Sequence, residues 1–127
     1  MLAVGACTVE GKRAPYSDYG PEVDISAPGG GYKEGLLTTV DVDLEAHQAY
    51  RHDFNGTSAA APVVAGVAAL VLSTNPDLTR EEVYGILRDT ADKIDPEAGQ
   101  YDERGHSPFY GWGRVNARRA LQRAAEL

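Results

Sequence analysis

The chain has 127 residues, enough for one domain or a piece of a larger one. It is 43% hydrophobic and 24% charged, with a net charge of −7. That globular, acidic balance argues against nucleic acid as a partner, since phosphate binding needs a basic face, and against docking on anionic membranes.

Residues 2–8 form a short apolar run bounded by Glu10-Gly11 and predict a buried strand of a parallel sheet. No basic n-region or cleavage site stands at Met1, so no signal peptide is visible. Cys7 lies inside the apolar run and reads as a small buried hydrophobe. A single cysteine excludes an intramolecular disulfide and any zinc site with two cysteine ligands. Residues 11–22 read as loop. Residues 23–27 predict a second short strand, stopped by Pro28-Gly29-Gly30-Gly31. Residues 36–42 and 47–54 fit the two arms of a hairpin.

Residues 59–72 are Ala, Val and Leu on every helical face, so a helix there must be buried all round. The run is too short for a membrane span and contains Pro62 and Gly66. Pro76-Asp77 ends it. Thr79 and Glu82 spell a capping box, and Val83, Ile86, Leu87 and Thr90 give the stripe of an amphipathic helix. Residues 92–110 read as loop, and no role is assigned to 92–107. Asn116 is placed to cap a last helix with Ala117, Ala120, Leu121 and Ala124 on one face. Two amphipathic helices and about four short strands hardly suffice to cover a fully apolar helix and both faces of a sheet. Residues 1–127 therefore read as an incomplete domain.

The stretch with chemical content is Phe54-Asn55-Gly56-Thr57-Ser58-Ala59-Ala60-Ala61-Pro62-Val63-Val64-Ala65-Gly66. Gly56 permits close backbone approach. With Gly56 or Thr57 as cap, Ser58 falls in the first helical turn, where backbone N–H groups lack intrahelical partners. Such donors, with the positive helix end, stabilise an anion formed on an attacked carbonyl. Pro62 costs little there, because the bond it removes would reach only residue 58. A bare Gly-Thr-Ser reads as an ordinary helix cap. The longer string resembles the serine signature of the subtilase family. Residues 17–29 resemble its S-x-x-G-P-x-x-D-x-x-A-P-G segment, and residues 110–117 its Y-G-x-G-x-x-N-A close. Leu2-Ala3-Val4-Gly5-Ala6 resembles the strand after the oxyanion-hole region. No second glycine completes a G-x-S-x-G elbow, and neither a Walker A loop nor H-E-x-x-H occurs.

The resemblance implies a three-layer α/β/α fold with a mainly parallel sheet, of which this chain is the C-terminal portion. It implies a serine endopeptidase that hydrolyses polypeptides through an acyl-enzyme on Ser58, with Phe54, Asn55, Gly56 and Thr57 on the leaving-group side. The family's D-[ST]-G and H-G-T motifs are absent from the chain, so its Asp, His and oxyanion Asn are expected upstream, in a missing N-terminal half. Ala59 stands where many relatives have Met. Secretion is expected from the same resemblance. Asp24 matches a position that contributes to a weak cation site in some relatives, and calcium enters only there. The alternatives are a truncated, non-catalytic binding or complementation partner, and an independent hydrolase using His47 or His52. His106 reads as a loop histidine. Asp41, Asp43 and Asp53 read as a solvated loop rather than a cation site, the sequon Asn55-Gly56-Thr57 as coincidence, and the arginines at 114, 118, 119 and 123 as a solvated helix face.

Overall fold

The computed structural model describes residues 1–43 and 48–127, without the side chains of residues 42, 43 and 48. The element order is β1 (Val4–Cys7), β2 (Ile25–Pro28), β3 (Leu36–Asp43), β4 (Gln48–Phe54), α1 (Thr57–Thr74), α2 (Arg80–Asp89) and α3 (Ala117–Ala125). The fold class is α/β.

β1 and β2 pair in parallel, with Val4 opposite Ile25 and Ala6 opposite Ala27. Gly5, Ala6, Cys7, Ile25, Ser26 and Ala27 are all buried, the mark of strands covered on both faces. Ala6, Ile25 and Ala27 join the main core with Ala60, Val64, Val67 and Val71 of α1. The opposite face is closed where Cys7 packs against Ile94 and Tyr110, so the 92–110 loop acts as a cover. Residues 113–115 flank β2 on its free side. Ser26 N–H donates to the Gly113 carbonyl at 2.8 Å, and Val115 N–H to the Ser26 carbonyl at 2.8 Å. β3 and β4 form the expected antiparallel hairpin. His47 lies outside the described residues.

α1 packs on β1 and β2, and α2 and α3 pack on α1. Burial all round is not achieved within this chain. Ala59, Ala60, Val64, Val67 and Val71 are buried, but Ala61, Ala65, Ala69, Leu70 (48% exposed) and Leu72 (40%) face outward. The helix also runs 18 residues, longer than its apolar run, and is by length and composition apolar enough to cross a membrane. Its packed face, Ala59, Ala60, Val64, Val67 and Val71, supplies part of that apolar character. The outward face has no cover among the described residues. α2 carries the expected capping box, with Glu82 N–H on Thr79 Oγ1 and Thr79 N–H on Glu82 Oε2. Asn116 caps α3 by accepting from the Arg119 N–H at 3.0 Å.

Candidate active site at the start of the long helix

The N-cap of α1 is Gly56, at φ 126° and ψ 168°, with no side-chain capping bond. An L-residue rarely adopts that backbone, so the glycine follows from the turn. Gly56 is held on both sides. Its N–H donates to the Gly29 carbonyl at 2.9 Å, and its carbonyl accepts from Ala59 N–H at 3.0 Å and Ala60 N–H at 3.2 Å. Thr57 and Ser58 are thereby the first two residues of the helix. Among the described residues their backbone N–H groups find no acceptor, as expected of a first turn. Ser58 is exposed, and its hydroxyl makes no hydrogen bond among the described residues. It does not serve as a cap. Pro62 lies inside α1 without ending it.

Asn55 is exposed, and its side-chain amide reaches only the carbonyls of Asp53 (3.4 Å) and Gly31 (3.5 Å). Phe54 ends β4 and is half-buried. The structure thus brings Phe54, Asn55, Gly56, Thr57 and Ser58 into one turn beside the Gly29-Gly30 strand end. A Cβ on Gly30 (φ 77°) would lie 3.0 Å from Asn55 Cβ.

The histidines stand elsewhere. His52 is exposed on β4, and His106 places Nε2 2.8 Å from the Val23 carbonyl with its ring edge-on to Trp112. No described histidine bonds to Ser58. Asp24 gives one carboxylate oxygen to the Arg88 guanidinium and accepts the Ala3 N–H with the other at 2.9 Å. Asp53 pairs with Arg51 at 2.7 Å, an exposed contact that holds its carboxyl below the usual range. The side chain of Asp43 is outside the described residues. Among the described residues no group of three or more His, Cys, Asp or Glu gathers in metal-binding geometry. Burial pushes the Cys7 thiol up to about 11, which fits its role as a packing group.

The family model of the subtilases matches residues 1–113, and this stretch contains the whole turn. The chain belongs to the subtilase family. This subtilase chain is 38% identical over 139 residues to a calcium-dependent protease of Trichormus variabilis, covering 98% of itself and 21% of that relative. It is 41% identical over 99 residues to an extracellular basic protease of Dichelobacter nodosus, covering 74% of itself and 16% of the relative. Its fold superposes on the crystal structure of a serine protease of Aeromonas sobria with a TM-score of 0.88 at 25% identity, over 99% of this chain and 29% of that one. The subtilase chain therefore spans about a fifth of the length of the first of these relatives.

Several contacts of this subtilase chain carry no sequence signal. Tyr16 places its hydroxyl 2.6 Å from the carbonyls of both Gly29 and Gly30. Asp92 gathers Asn116 (3.0 Å), Arg119 (3.3 Å) and Arg114 (3.4 Å). Burial opposes its ionisation, but these three partners outweigh it and hold the carboxyl below its usual range. Two of the arginines read as a solvated face, Arg114 and Arg119, thus fasten the chain's end to the 92–110 loop.

Proposed function

We propose that residues 1–127 are the C-terminal, nucleophile-bearing part of a subtilase catalytic domain, and that in the complete enzyme Ser58 hydrolyses peptide bonds. The observation that carries this reading is the position of Ser58. Its hydroxyl is exposed and unengaged, on the second residue of a helix whose leading N–H groups have no described acceptor.

The steps follow from that position. Ser58 Oγ attacks the scissile carbonyl carbon, and its proton passes to a histidine supplied by the N-terminal part of the domain. An aspartate from the same part orients that histidine. The carbonyl oxygen takes up the negative charge, which the Ser58 N–H, the positive end of α1 and an upstream asparagine stabilise. The C–N bond breaks as the histidine returns the proton to the leaving amine. Water then cleaves the Ser58 ester by the reverse proton route. Phe54, Asn55, Gly56 and Thr57 flank the leaving-group side. Without the histidine the hydroxyl is a poor nucleophile near neutral pH, so this chain alone is inactive. The uncovered face of α1 is the surface on which the rest of the domain packs.

Secretion is the setting that the extracellular relative supports. Calcium, named for one relative, finds no ready site among the described residues, because Arg88 already neutralises Asp24. A calcium requirement of the complete enzyme rests on donors outside the described residues, and no step is routed through the ion.

The test is fluorophosphonate labelling of the complete enzyme with mass mapping of the adduct. Label on Ser58, and its loss together with peptide hydrolysis in Ser58→Ala, is the expected result. Hydrolysis that persists in Ser58→Ala sinks the reading. The second reading, a non-catalytic complementation partner, is favoured by the uncovered face of α1. It requires that an N-terminal part bind this chain without any label appearing on Ser58.

A further inference from the structure

Three segments distant in sequence meet directly before the nucleophile: the turn at 14–17, the strand end at 28–30, and residues 55–56. Tyr16 lies at their junction. Its single O–H donates to the Gly29 or the Gly30 carbonyl, both 2.6 Å away, and its oxygen accepts the Gly56 N–H at 3.1 Å. The phenol is half-buried, packs on the main core, and lies edge-on to Tyr32 with centroids 6.3 Å apart. The junction has no slack. A Cβ on Gly29 would come within 2.7 Å of Ala6 Cβ, 2.8 Å of the Gly56 carbonyl oxygen and 3.0 Å of Tyr16 Oη. Removing the hydroxyl leaves the Gly30 carbonyl without this donor and the Gly56 N–H with one acceptor instead of two. Only Thr57 separates Gly56 from Ser58.

We propose that Tyr16 is a positioning residue for Ser58: its hydroxyl ties the Gly29-Gly30 strand end to the Gly56 amide and so fixes the aim of the Ser58 hydroxyl and N–H. Burial raises the phenol pKa, so the group stays a protonated donor at neutral and mildly alkaline pH. The proposal rests on the reading of Ser58 as nucleophile. It concerns aim rather than binding, because Tyr16 acts through Gly56.

The experiment compares the complete enzyme with its Tyr16→Phe variant, which keeps the ring and removes only the oxygen. Active sites are counted by the fraction labelled with fluorophosphonate, and kcat is expressed per labelled site. Loss of one hydrogen bond of ordinary net worth predicts a fall in kcat and in labelling rate of roughly 2- to 12-fold, with KM for a short peptide substrate unchanged. A purely structural tyrosine would instead lower the labelled fraction or the melting temperature and leave kcat per labelled site intact. That outcome overturns the proposal while leaving the Ser58 reading standing. Parent enzyme that carries no label on Ser58 overturns both.

Discussion

Gly56→Ala tests whether the turn before Ser58 is under conformational constraint. At φ 126° and ψ 168°, Gly56 occupies a region that side-chain-bearing residues essentially never enter. Holding alanine there costs about 1–3 kcal/mol. The added Cβ would also stand 3.2 Å from Ser58 Oγ, tighter than nearly all real Cβ contacts. The variant has two ways out. If the backbone holds, the strain appears as a stability loss of about 1–3 kcal/mol. If residue 56 rotates toward an allowed region, its bonds to Gly29, Ala59 and Ala60 loosen and Ser58 leaves its place at the start of α1. Both quantities are measured on one preparation of the complete enzyme: the urea unfolding midpoint, and the rate of fluorophosphonate reaction at Ser58. At least one must fall, and the two losses together should amount to roughly the strain energy, or about 5- to 150-fold when expressed as a rate. Stability within about 0.5 kcal/mol of the parent and an unchanged labelling rate would refute the reasoning, since that is the behaviour of an unconstrained surface position.

Residues 1–127 alone, with the outward face of α1 bare, are expected to bind a hydrophobic dye and to unfold without a cooperative transition; sharp two-state melting of a monomer would contradict this. Burial pushes Cys7 up to about 11 and both Tyr101 and Tyr110 up to about 12. These groups keep protons in the fold that the unfolded chain releases nearer 9 and 10, so their stabilisation is full below pH 9 and is lost as pH climbs through 11 for the thiol and through 12 for the phenols. Unfolding midpoints of the complete enzyme should therefore drop across pH 9 to 11, and a flat profile there refutes the assignment. Asp24→Asn removes the charge that Arg88 faces and should cost roughly 1–2 kcal/mol, the value of a partly exposed pair. If calcium raises the melting temperature of the parent enzyme, the rise should be the same in Asp24→Asn, and its disappearance there would place Asp24 among calcium donors.

Local rules carried much of the fold. The Thr79-to-Glu82 spacing is a closed four-residue device, so the capping box and α2 are legible from sequence. The same holds for Asn116 and α3, and for the hairpin, which runs one residue longer at β3 than expected. β1 and β2 are shorter than their apolar runs, because the flanking residues bond into loops. The site's chain-local part, residues 54–58, was legible for a similar reason: the glycine, the helix start and the serine are consecutive. What stayed hidden depends on partners far along the chain. Nothing around Tyr16 announces that its hydroxyl reaches Gly56, forty residues away. The 92–110 loop reads as polar filler. In the fold Lys93 sits 5.3 Å from the Tyr101 ring centre and 5.4 Å from that of Trp112, while Ile94 and Tyr110 seal Cys7.

The run at 113–115 that flanks β2 has a bearing on synthesis. A ribosome delivers the chain from the first residue to the last, and Ser58 emerges long before Gly113. Until residues 113–125 leave the exit tunnel, β2 lacks one neighbour and α1 lacks the helix that braces it. The scaffold around Ser58 is thus completed only after residues 113–125 have emerged, and until then the start of α1 stands on an unfinished support.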